Sequence, residues 1–117
     1  MIKVTIYQDQ EAECIGFQMK GHAEFAAYGE DIVCSAVSVL VINTMNAIET
    51  FTQDVFEHDI HSKKDLVSFR ITSNPVSHDA KLLLNSMVLG LEQIAKEYGK
   101  KYITLKKRKQ EIGRAHV

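Results

Sequence analysis

The chain has 117 residues and a mass of 13.2 kDa, with 45% hydrophobic and 25% charged residues. Those values suit one globular domain with a single core, exclude a disordered or fibrous class, and leave no room for a separate substrate domain. The formal net charge of -1 gives no chain-wide attraction for nucleic acid, so direct nucleic-acid binding is not expected.

Ile2, Val4 and Ile6 alternate with Lys3, Thr5 and Tyr7, and Ile15, Phe17 and Met19 alternate again after the polar turn from Gln8 to Glu11. This predicts a hairpin with one buried face. The N-terminal segment alternates as a strand and lacks the apolar run of a secretory signal, which predicts a cytoplasmic product whose two cysteines, Cys14 and Cys34, stay reduced. The longest apolar stretch, Ile32 to Ile42, is interrupted by Cys34, Ser35 and Ser38 and is too short to span a bilayer. No membrane segment is expected.

From about Asp31 to Thr52, Val33, Val37, Leu40, Val41, Thr44 and Ile48 recur at helical spacing, while Val39, Ile42 and Met45 form a second apolar face. In so small a domain a second copy of the chain covers such a face more easily than the chain itself, so a homodimer is expected. Phe56 to Ile60 and Leu66 to Thr72 read as two strands around the turn His61 to Asp65. Ser73-Asn74-Pro75 opens a second helix, with the lone proline near its first position, and Gly99 ends it.

Tyr102 to Lys106 reads as a last strand, so the domain covers residues 1–107, and residues 108–117 read as a disordered or non-native tail. The basic run Lys106-Lys107-Arg108-Lys109 could touch ribosomal RNA, but four charges near a terminus read more simply as solvated. The fold class is α+β: two helices packed on a sheet of about five mainly antiparallel strands.

Chemistry concentrates between Gly21 and Ser38, where His22 follows a strand and Cys34 lies at the front of a helix. With Asp31 as N-cap, Cys34 is the third residue of the first turn, close to backbone N–H groups without helical partners and to the positive end of the helix dipole. Such settings lower a thiol from about 8.5 to roughly 3.5 to 7.5, and a neighbouring imidazole completes a nucleophile and base. The plainer alternative is a small buried hydrophobe, and a carboxylate at Asp31 on the same helical face opposes the thiolate if it faces the sulfur.

Ser38, four residues after Cys34, either bonds back to the Cys34 carbonyl or orients His22 or a substrate. The stretch Ala23 to Glu30, with its three alanines, Gly29, Phe25 and Tyr28, is the one connection long and small enough to move over a site.

Gly21-His22 at the close of the second strand, followed by Gly-Glu-Asp-Ile-Val-Cys-Ser-Ala-Val-Ser entering an apolar helix, resembles the ribosomal-processing cysteine protease family called Prp. The Gly-His and Asp-(x)2-Cys-(x)3-Ser elements carry the resemblance, and the order of elements extends it over residues 1 to about 107. The resemblance implies that Cys34 is the nucleophile and His22 its base, with Gly21, Asp31 and Ser38 supporting the site. It further implies a substrate: the short N-terminal extension of a large-subunit ribosomal protein, the bacterial one numbered twenty-seven. That extension is apolar with aromatics beside the cleavage point in the family, so Phe25 and Tyr28 are expected contacts. No metal or organic cofactor is implied.

Other constellations are weaker. His58 and His61 would point to opposite faces of a strand, which disfavours a shared metal. Cys14 falls on the outward side of the hairpin by simple alternation. Two rival functions stay open: a non-catalytic ribosome-associated binding module, and a thiol redox sensor in which Cys14 resolves oxidised Cys34.

Overall fold

A computed structural model describes residues 1–21, 28–61, 63 and 65–110, with residues 28–31 described as helical backbone only. In chain order the elements are β1 (Ile2–Gln8), β2 (Cys14–Lys20), α1 (Tyr28–Phe51), β3 (Phe56–His61), β4 (Leu66–Ile71), α2 (His78–Tyr98) and β5 (Ile103–Lys109). They form the expected α+β domain, two helices with a five-stranded mixed sheet in the order β3-β4-β2-β1-β5. Every pairing is antiparallel except β1 with β5, which is parallel.

Strand alternation builds the core. Ile2, Val4, Ile6, Phe17, Phe69, Ile71 and Ile103 point to one face, where Val33, Val37, Val41 and Ile48 of α1 and Ala80, Leu84, Met87 and Leu91 of α2 bury them. Phe17 and Phe69 stack at 5.5 Å between ring centroids. The helices approach closely at Gly90, where an added Cβ would meet Leu40 at 2.7 Å.

Four boundaries differ from those read in the sequence. The first helix begins at Tyr28, one turn before Asp31, and acidic residues such as those at 30 and 31 suit the first turn of a helix as well as its cap. Residues 28–30 are therefore helix, and of the connection read as Ala23 to Glu30, residues 23–27 lie outside the described residues. The second helix begins at His78, not at Pro75. Ser77 is its cap and accepts from the Ala80 N–H, while Asp54 accepts from the Ser77 N–H at 2.9 Å and from its hydroxyl.

Strand β5 runs on to Lys109, and Gln110 N–H donates to the Gln8 carbonyl, so the basic run lies in the sheet. The apolar character of α1 also continues past Ile42. By length and composition Ile32–Phe51 is long enough to cross a membrane, although one side of it, from Val33 to Ile48, packs into the core.

The hairpin holds a correction of another kind. Tyr7 pairs with Gly16 but Gln8 pairs with Cys14, so β2 carries one extra residue at Ile15, a bulge that shifts the alternation. Cys14, expected outward, is 1% exposed and its Sγ–H donates to the Gly16 carbonyl at 3.3 Å. Its backbone N–H donates to Asn85 of α2. Burial, with the nearby Asp9 charge adding to it, raises the thiol to about 12.

Candidate active site

Where the C-terminal end of β2 meets the N-terminal half of α1, the sheet and the helix leave a cleft of about 210 Å³. Gly21, Cys34 and Ser38 all line it. The glycine, the cysteine and the serine singled out in the sequence are thus brought to one place, although they come from two elements.

Gly21 is held there by geometry that only glycine accepts. Its φ is 99°, and a Cβ would stand 2.3 Å from the Met1 carbonyl oxygen. Its N–H donates to the Asp65 carbonyl at 2.9 Å, which ties the end of β2 to the β3–β4 turn. Asp65 itself has φ 50° and lines the cleft.

Cys34 is half-buried and rests against the core. It is the seventh residue of α1, not the third, because the helix starts at Tyr28. The N–H groups without helical partners therefore belong to residues 28–31, and the dipole effect decays within that first turn. What surrounds the thiol is the cleft.

Ser38 follows one turn later. Thr44 and Thr52 return their hydroxyls to the carbonyls of Leu40 and Ile48 at 2.8 Å, yet among the described residues Ser38 makes no such bond to Cys34. The back-bonding role considered for it is not the one adopted here.

His22 and Phe25 lie outside the described residues, as do the side chains of Tyr28 and Asp31. Asp31 is the fourth residue of α1 and so is not its N-cap.

Several cleft residues were not singled out in the sequence. Met19, Val67 and Ile60 lie in one row across β2, β4 and β3, and with Ile2 they give the cleft an apolar wall beside the thiol. Each looks like ordinary core in the sequence, and only strand register collects them. His61 borders the same cleft, but alternation turns its ring to the far face, where it pairs with Asp59 at 2.9 Å. His58 sits on the other side, 5.9 Å from the Phe56 ring. Among the described residues no group of three or more His, Cys, Asp or Glu side chains could hold a metal ion.

The redox alternative asks Cys14 to meet Cys34. Cys14 is at one end of β2 and Met19, the cleft residue, is five residues along it, about 17 Å away at strand rise. A disulfide needs Cα atoms within about 7 Å, so these two thiols do not form one in this fold.

A half-buried cysteine opening on a cleft, in an α+β domain with a glycine-locked strand end beside it, is the kind of accessible thiol that a thiol-dependent enzyme requires. The sequence model of the family described as Cysteine protease Prp matches residues 1–104, and the chain belongs to that family. It is a cysteine protease.

Ribosomal processing cysteine protease Prp of Staphylococcus aureus (strain Mu50 / ATCC 700699) is 34% identical over 99 residues, covering 84% of this chain and 92% of that one. Two crystal structures of the essential ribosomal processing protease Prp from S. aureus share the fold, each covering 92% of this chain and 100% of its own. One, with a substrate peptide, is 28% identical with a TM-score of 0.83. The other, with a covalently linked product peptide, is 29% identical with a TM-score of 0.81.

Proposed function

We propose that this protein is a cytoplasmic cysteine endopeptidase that removes the N-terminal extension of the large-subunit ribosomal protein numbered twenty-seven, through a Cys34 and His22 dyad. The observation that carries the reading is the position of Cys34: its side chain shares a cleft with Gly21, the residue next to His22. The relatives are named for ribosomal processing, and the covalently linked product peptide in one of them supports attack by a thiol.

In this mechanism the Cys34 thiolate attacks the scissile carbonyl and His22 gives a proton to the leaving amine, forming a thioester that water hydrolyses. The N–H groups of residues 28–31, which lack helical partners, are donors for the developing oxyanion. Met19, Ile60 and Val67 take an apolar side chain of the extension, and Phe25 and Tyr28 add aromatic contacts. Gly21, Asp31 and Ser38 support the pair.

The working unit is a homodimer. Val39 and Ile42 on the outer face of α1 are 69% and 55% exposed. Covering that uncovered apolar stripe is what a second copy supplies.

The test mixes purified protein with a peptide carrying the extension and compares wild type with Cys34→Ala, Cys34→Ser and His22→Ala. Cleavage by wild type alone is expected. Cleavage that persists in Cys34→Ala would sink the dyad, and an uncut peptide with wild type would sink the substrate.

A further inference from the structure

Among the described residues, no helix covers the second face of the sheet. Register places its side chains in rows across the strands. One row reads Glu57, Arg70, Gly16, Tyr7 and Arg108; the next reads Asp59, Ser68, Gln18, Thr5 and Lys106; the last reads His61, Leu66, Lys20, Lys3 and Thr104.

Alternation has sorted the charges. Both carboxylates of this face, Glu57 and Asp59, sit on edge strand β3, while the four remaining strands present Lys3, Lys20, Arg70, Lys106 and Arg108 and no acid. All five cations are exposed, and none is ion-paired among the described residues. A chain whose net charge is -1 therefore keeps one strongly positive surface.

The middle of that surface suits a planar group. Gly16 contributes no side chain between Arg70 and Tyr7, and a depression of about 480 Å³ opens on this side with Tyr7, Ser68 and Arg70 in its lining and the carboxylates Glu57 and Asp59 at its β3 edge. Tyr7 is half-buried, and its hydroxyl donates to the Gln18 side-chain oxygen at 3.3 Å, which lays the ring along the sheet. Arg70 and Arg108 flank it in the same row, three strand intervals or about 14 Å apart. Lys106 and the Lys3–Lys20 pair continue the positive track row by row, about 7 Å per row.

We propose that this open face binds single-stranded nucleic acid, with phosphates on Arg70, Arg108, Lys106, Lys3 and Lys20 and a base stacked on Tyr7. Phosphates match the unpaired cations, and a stackable base is what separates this ligand from an acidic peptide. The surface lies across the sheet from the Cys34 cleft, so binding and proteolysis stand or fall independently.

The probe is a short fluorescein-labelled oligouridylate, followed by anisotropy from about 50 to 300 mM salt. Saturable binding is expected, with log affinity falling against log salt at a slope of about -2 to -3.5, as three to five neutralised phosphates require. Arg70→Glu with Arg108→Glu should weaken binding at least about tenfold, and Tyr7→Ala at least about fivefold, the lower bound for one stacked base. Lys96→Glu with Lys100→Glu, the same charge change off this face, should leave it unchanged.

Circular dichroism checks that each variant folds, and Arg70→Gln with Arg108→Gln replaces the reversal if it does not. No binding by wild type at low salt would overturn the proposal. So would equal loss in the off-face control, an unaffected Tyr7→Ala, or tighter binding of polyglutamate than of oligouridylate.

Discussion

Gly21 and Met1 meet backbone against backbone: a Cβ on Gly21 would lie 2.3 Å from the Met1 carbonyl oxygen, at a φ of 99°. The contact fixes how β2 ends. Gly21→Ala meets both obstacles at once, so a loss of about 1–3 kcal/mol is expected. Urea unfolding measures that loss, and peptide cleavage by the folded fraction should fall as well. A variant as stable and active as wild type would show that this close approach is not required.

The two thiols should behave as different chemical species. Cys14 is buried and raised to about 12, whereas Cys34 is half-buried on a cleft. Iodoacetamide should therefore add one label to the native protein, on Cys34, and two after unfolding in urea. Intact-mass measurement with peptide mapping reads both counts. Labelling of native Cys14 at a comparable rate would contradict its burial.

Asp54 anchors the start of α2 by accepting from the Ser77 N–H and the Ser77 and Ser73 hydroxyls. Burial raises its pKa, but these hydrogen bonds outweigh that and hold the carboxyl below its ordinary value. The resulting stability is present above the ordinary carboxylate range and is lost as pH falls below about 4. Asp54→Asn should cost about 1–2 kcal/mol at pH 7 and flatten the decline in acid, both read from urea unfolding at several pH values. An equally steep acid decline in the variant would assign it to other groups, such as Asp9, which burial raises but N–H donors from Glu13 and Glu11 and the Lys81 amine lower overall.

The outer stripe of α1 gives a test of assembly. Val39→Lys with Ile42→Lys places two charges on exposed positions that make no core contact, so the monomer fold should survive. Sedimentation equilibrium should show a dimer for wild type and a monomer for the variant. A monomeric wild type would remove the homodimer from the proposed function.

The elements themselves were legible because the two periodicities are clean: alternation in Ile2–Val4–Ile6 and Val67–Phe69–Ile71, and helical recurrence from Val33 to Ile48. Their ends were less so. The start of α1 was read at Asp31 because aspartate is a good cap, but Glu30 and Asp31 are equally at home in a first turn, and local preference cannot choose between the two. Cys14 was misplaced because a bulge of one residue reverses alternation without leaving any mark in composition.

The linear chain by itself determined which residues have chemistry to offer, Cys34, Gly21 and Ser38 among them, and which stretches bury an apolar face, since side-chain type and spacing are local properties. Only the tertiary structure decided that Met19, Ile60 and Val67 wall the thiol's cleft and that five scattered cations share one open face, because strand order and register join residues far apart in sequence. Pairing is a property of two strands together, and neither strand encodes it alone.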